Sequence, residues 1–193
     1  MKRTQLSILI FVAISLASAA KAQDAKPPAA AEAPESTAPI ANPVSSTIKQ
    51  QLARSSKIMV AAAEVMPAEK YNFKPTPEMN SFGHLAMHSA QGNNLLCSKI
   101  SGLPAPDTSK LADTDPKDKL VAALKSSFDF CSTALANLDD SKLGDPLVLF
   151  GNRPSSRAGA MIALSNGWSD HYGAQAIYLR LNGVLPPTAQ PKQ

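Results

Sequence analysis

Asn166-Gly-Trp-Ser-Asp-His-Tyr-Gly-Ala-Gln-Ala-Ile-Tyr-Leu-Arg-Leu-Asn-Gly-Val-Leu-Pro-Pro187 is the stretch whose reading decides the fold. It reads as the end of a long helix with a stop built in. Gly183 suits the residue just past a helix end, where a positive φ is needed, and Pro186-Pro187 bar continuation. At about 100° per residue, Met161, Leu164, Trp168, Tyr172, Gln175, Leu179 and Asn182 fall on one side of that helix. His171 lies roughly 50° from the centre of the stripe, so its ring is expected to reach the interior. An inward histidine of this kind serves either as a hydrogen-bonded core residue or as a ligand.

Three further helices precede it. The Ser45-Ser46-Thr47 cluster offers N-caps for the first, whose stripe is Ile48, Leu52, Ser55, Met59, Ala62 and Met66. Met66-Pro67 ends it, and a proline-bearing loop runs to Asn80. The second starts near Asn80 or Ser81, carries Phe82, Leu85, Ser89, Asn93, Leu96 and Ile100, and closes at Gly102 and Pro104. Asp115-Pro116 reads as an N-cap followed by proline at the first helical position. Leu120, Leu124, Phe128, Cys131, Leu135 and Leu138 then mark the third. Residues 139–154 read as a loop with an apolar patch, Leu147-Val-Leu-Phe150, set against the bundle rim. Ser155-Ser156 cap the fourth helix. Four amphipathic segments without β-alternation predict an all-α four-helix bundle over residues 44–187, with a disordered tail at 188–193.

Ahead of the bundle the composition changes twice. Met1-Lys-Arg-Thr followed by the apolar run Leu6–Ala17 and Ala20-Lys-Ala22 fits a secretory signal peptide, residues 1–22, cleaved near Ala22. The apolar run is short for a transmembrane helix, so no stable membrane insertion is expected after cleavage. Residues 23–43 are Ala/Pro-rich with almost no large apolar side chain, which reads as a disordered tether. The expected location is periplasmic or secreted. Removing residues 1–22 leaves 16 basic against 15 acidic residues, so the basic balance belongs mostly to the leader and nothing argues for nucleic acid.

The only two cysteines, Cys97 and Cys131, fall on helices two and three of an exported chain. An inter-helix disulfide is the natural reading. It would close a loop of about 35 residues, worth roughly 3–4 kcal/mol in the chain-entropy picture. The alternative is two buried small apolar residues.

There are three histidines, His84, His88 and His171. Imidazoles on facing helices are a usual way to build a metal site in a bundle. His84 and His88 stand at i, i+4 and share a helix face. Relative to the apolar stripe His88 lies about 90° off centre and His84 about 130°, so His88 can turn inward at the margin while His84 looks toward solvent or a crevice.

His171-Tyr-Gly-Ala-Gln, then Tyr178-Leu-Arg-Leu-Asn-Gly183 and Pro186-Pro187, resembles the last helix of the DinB/YfiT-like family. Ser81-Phe-Gly-His-Leu-Ala-Met-His88, Asn94-Leu-Leu-Cys97, Phe130-Cys131 and Phe150-Gly151 resemble it too, in the family's order. The resemblance covers about Pro43 to Pro187. It implies a four-helix bundle with a three-histidine metal site, one ligand from helix two and two from helix four at i and i+4. His88 matches the first position and His171 the last. The remaining position is Gly167, which cannot ligate. Asp170 projects about 150° from the stripe centre and does not replace it, whereas His84 does if the metal sits near the rim.

Two functions follow from the resemblance. One is a metal-dependent thiol transferase or hydrolase, with Zn or Ni held by His88 and His171. In it His84 acts as third ligand or general base, and Gln175 or Tyr172 as a hydrogen-bond partner behind the ligands. Its implied partner is a small-molecule or thiol substrate. The other is a non-catalytic bundle that has lost the metal and holds a small molecule or serves structure. A partner-docking domain on a tether is a third reading, from residues 23–43 alone. Bundles of this kind often pair, so a homodimer is one expectation. No Ser-His-Asp order, Gly-rich phosphate loop, CxxC or paired-carboxylate pattern stands out.

Overall fold

A computed structural model describes residues 39–191. The expected signal peptide (1–22), most of the tether and the last two residues lie outside the described residues. Four helices make the bundle: α1 (Pro43–Val65), α2 (Phe82–Ser101), α3 (Lys117–Leu135) and α4 (Arg157–Leu181). None of the described helices is long and apolar enough to cross a membrane.

The 3.6-residue spacing read from the sequence is the spacing that is buried. Ile48, Leu52, Met59 and Ala62 of α1 are buried, as are Leu120, Leu124, Phe128, Cys131 and Leu135 of α3. Phe82, Ser89, Asn93, Leu96 and Ile100 do the same for α2, and Met161, Leu164, Trp168, Gln175 and Leu179 for α4. One apolar cluster fills the half of the bundle around Met59, Phe128 and Trp168. A second, around Tyr71, Phe82 and Tyr178, fills the other half, with Tyr71 and Phe82 edge to face at 5.2 Å.

Helix ends follow local chemistry in most places. Ser81 Oγ accepts from the His84 N–H at 3.0 Å, and Ser156 Oγ from the Gly159 N–H at 3.2 Å. Gly102 closes α2 at φ 81° and Gly183 closes α4 at φ 72°, both left-handed positions that favour glycine. The start of α1 departs from expectation. The helix begins at Pro43, two residues before the serine cluster, with Asn42 as its N-cap residue. Its free N–H groups are taken by a distant carboxylate: Asp140 accepts from the Val44 N–H at 3.0 Å and from the Ser45 N–H at 2.8 Å. Pro43 and Asn42, assigned above to the tether, therefore belong to the start of the bundle. Asp115 likewise sits one residue outside its expected role: Pro116 is the N-cap residue of α3, while Asp115 accepts from the Ala112 N–H and pairs with Lys119 at 2.8 Å.

The connection from α3 to α4 is not a plain loop. Pro146–Leu149 (β1) and Arg153–Ser156 (β2) pair antiparallel, with Leu147 opposite Ser155 and Leu149 opposite Arg153. Leu147 and Leu149 turn toward the core, whereas Val148 and Phe150 are exposed. The turn carries Gly151 at φ 64° and Asn152 at φ 57°, left-handed positions those residue types tolerate. Lys99 Nζ donates to the Val148 carbonyl at 2.7 Å and holds the hairpin to α2. Four-residue strands containing Pro146 and Pro154 carry too little alternation to separate from loop. Past α4, Pro187–Ala189 form a 3-10 turn where the sequence reads as a tail, and the Thr188 N–H donates to the Tyr172 hydroxyl at 3.1 Å.

Two links fasten α2 to its neighbours. Cys97 and Cys131 have Cα atoms 5.2 Å apart and sulfurs at bonding distance, joining α2 to α3. One turn earlier on α2, the buried Asn93 accepts from Trp168 Nε1–H of α4 at 2.8 Å and donates to Ser127 Oγ of α3 at 3.0 Å. Gly83 serves a third contact. A Cβ there would stand 2.3 Å from the Asp113 carbonyl oxygen and 3.4 Å from that of Tyr71. Only glycine lets the Asp113 loop close onto α2 at this point.

Titration of free thiols in unreduced, denatured protein should find close to none per chain; two per chain would reject the Cys97–Cys131 bond. Asn93→Ala should destabilise the bundle by about 1–3 kcal/mol, because the Trp168 N–H keeps its burial and loses its acceptor. Chemical denaturation measures it, and an unchanged midpoint would show that Asn93 holds nothing together.

Candidate site between α2 and α4

His88 and His171 converge. Their rings stack at 5.0 Å between centroids and within 8° of parallel. His84 and His88, one turn apart on α2, stack at 5.8 Å and 11°. The three imidazoles thus form a row across the α2–α4 seam, in the order His84, His88, His171. His171 is the innermost, with a side chain 18% exposed; against expectation His88 is exposed while His84, beside Asp113, is half-buried.

The ring of His171 is oriented by its own helix. Its Nδ1 lies 2.7 Å from the Gly167 carbonyl oxygen, one turn back. A carbonyl only accepts, so Nδ1 carries the proton and Nε2 keeps its lone pair. Burial, and after it the neighbouring His88, hold the His171 imidazole below the usual histidine range, with Asp170 opposing. The neutral form is therefore the favoured one.

His84 is drawn the other way. Its Nδ1 lies 3.7 Å from Asp113 Oδ2 in the α2–α3 loop, the loop that the missing Cβ of Gly83 allows to close. Gly167 occupies the position where the resemblance implies another ligand. A Cβ there would meet only His171 Cε1, at 3.9 Å. Among the described residues no group of three or more His, Cys, Asp or Glu side chains is gathered as a metal ion would need. The donor set does not fit a resident three-nitrogen centre.

The two residues read as partners behind the ligands are engaged or isolated. The Tyr172 hydroxyl is committed to Thr188 Oγ1 at 2.7 Å. Gln175 is fully buried, and neither atom of its amide finds a protein partner.

The histidine pair borders a cavity of about 360 Å³ between α2 and α4. Met59, Leu96, Leu164 and Trp168 form its inner wall, and Phe150 of the hairpin turn reaches it from the rim. Gly92 of α2 and Gly167 of α4 also line it. Gly92 lies off the apolar stripe of α2 and carries no periodic signal. An isolated glycine inside a helical pattern was the available sign, since it costs helix stability relative to alanine.

Comparison with known proteins agrees with this architecture. A DinB-like protein from Bacillus cereus ATCC 10987 is similar over 74% of this chain and 95% of its own, at 17% identity and a TM-score of 0.65. A DinB-like protein from Bacillus subtilis matches over 76% and 99%, at 20% identity and a TM-score of 0.60. A conserved protein from Enterococcus faecalis matches over 71% and 95%, at 20% identity and 0.55. At such identities the likeness is one of fold. No curated protein is significantly similar in sequence. The model of the DinB superfamily matches residues 51–173, well over half of the 193-residue chain, and the protein belongs to that superfamily.

Proposed function

We propose that this DinB-superfamily chain is an exported small-molecule-binding protein whose ligand occupies the α2–α4 cavity beside His88 and His171, and that it works without a resident catalytic metal. The observation that carries the reading is the donor count at the histidine pair. A catalytic zinc site uses three protein ligands and keeps a fourth position open. Two imidazoles converge here, Gly167 contributes no donor, and His84 faces Asp113. What remains is a largely apolar cavity with a few polar groups at one side, the ordinary make-up of a small-molecule site. Export to the periplasm or outside is supported by the leader pattern and by the cysteine pair, since disulfides persist in oxidising compartments.

A second reading, the metal-dependent thiol transferase or hydrolase, has one observation in its favour. A ligating histidine usually donates its other ring N–H to a carbonyl or carboxylate, and His171 does so to Gly167. On that reading Zn²⁺ or Ni²⁺ would sit on His88 and His171, where it would supply Lewis-acid activation of a thiol or water.

Metal analysis separates the two. Protein purified in chelator-free buffer should carry far less than one metal per chain, and added Zn²⁺ or Ni²⁺ should leave Tm within about 1 °C. Gly167→His, at a position where a Cβ makes only an ordinary contact with the His171 ring, should gain a metal-dependent rise. At a hundredfold excess over Kd that gain is about 2.7 kcal/mol. One equivalent of metal in the natural protein, lost in His171→Ala, would establish the metalloprotein instead.

A further inference from the structure

The geometry points to a ligand class for this cavity: a neutral, flat aromatic molecule carrying one hydroxyl, a phenol or an enol, with that hydroxyl donating to Nε2 of His171. The inference rests on the cavity being a small-molecule site and adds what fills it. Its first ground is shape. Gly92 and Gly167 line the space from the two facing helices, and a Cβ on Gly92 would meet nothing within 4 Å. A Cβ on Gly167 would meet only the edge of the His171 ring. The missing side chains leave open space against both helix backbones, a slot that suits a flat molecule. Trp168 and Phe150 add aromatic side chains to the lining, beside the mutually stacked rings of His88 and His171. Aromatic faces favour offset stacking on one another.

Size is the second ground. A dry apolar cavity of about 150 Å³ takes benzene, so about 360 Å³ holds two fused rings with their substituent.

Charge is the third. Among the described residues, no Lys, Arg, Asp or Glu lines the cavity. A carboxylate or ammonium group entering it would lose its water without gaining a counter-charge, which is costly. The polar groups present are mostly committed. Asn93 is held by Trp168 and Ser127, and Ser89 Oγ donates to the Leu85 carbonyl at 2.7 Å. His88, Gln91 and His171 remain. Of these His171 has a fixed role: Nδ1–H is spent on Gly167, so Nε2 can only accept. The matching group on a neutral ligand is a hydrogen-bond donor, of which a hydroxyl is the smallest. A ring without one would leave that acceptor unpaired.

Calorimetric titration of the purified protein with three probes of one shape tests this. The probes are 2-naphthol, its methyl ether 2-methoxynaphthalene, and 2-naphthoate. Expected are binding of 2-naphthol, about tenfold weaker binding of the ether for the lost hydrogen bond, and no measurable binding of the carboxylate. His171→Phe should bring naphthol down to the level of the ether. Gly92→Leu, which fills the slot with a better helix former, should abolish binding of both while Tm holds or rises. Equal binding of naphthol and ether overturns the role of the hydroxyl. Preference for 2-naphthoate overturns the ligand class while keeping the cavity as a binding site if Gly92→Leu removes it. If no probe binds, or if binding survives Gly92→Leu, the ligand class and the binding function of the cavity both fall.

Discussion

The side chain of Asn93 is the constraint on which the rest of this bundle turns. It is a buried amide on α2 that accepts from Trp168 on α4 and donates to Ser127 on α3. An unpaired polar group in a core costs about 1–3 kcal/mol, whereas apolar contacts tolerate small slides. The amide therefore fixes the axial register of three helices at once. One turn further along the same seam, Cys97 meets Cys131. The polar link and the covalent one are both four residues apart on α2 and on α3, so each presupposes the register that the other sets.

That register is what brings His88 and His171 together. Trp168 is held by Asn93 and forms a wall of the cavity, and His171 follows on the same helix. The row of three rings does not become a three-nitrogen site, for two reasons of different scale. Gly167 is a change of one residue. The removal of His84 is a loop effect: Gly83 admits the Asp113 backbone, and Asp113 faces His84. Both glycines act by the absence of a Cβ, one to let backbone approach and the other to leave space open. The outcome is a site poorer in donors and richer in room.

Much of the fold was legible in the sequence. The buried stripes of all four helices, the caps at Ser81 and Ser156 and the stops at Gly102 and Gly183 stand where their residues predict. That His171 is the innermost histidine was legible, because a helix converts residue number into angle; the order of the other two was not, since Asp113 stands beside His84 and His88 is left the more exposed. The cap on α1 was not. Asp140 lies 95 residues from the N–H of Ser45 that it accepts, and no local rule reaches across such a distance. The hairpin escaped because two prolines and four-residue strands leave no alternation to count.

The sequence by itself therefore determined what depends on neighbours along the chain: helix extent, helix ends, which face is apolar, and which histidine looks inward. It also determined that Gly167 brings no ligand, since a hydrogen has no donor atom. Tertiary structure decided what depends on neighbours through space. It set the partners of Asn93, the pull of Asp113 on His84, the stacking of His88 on His171, and the cavity that Gly92 and Gly167 open. The physical reason is that periodicity gives the direction of a side chain about its helix axis, whereas a cavity or a hydrogen bond between helices depends on how far one helix has slid along another. That distance is fixed only when the buried polar groups find their partners.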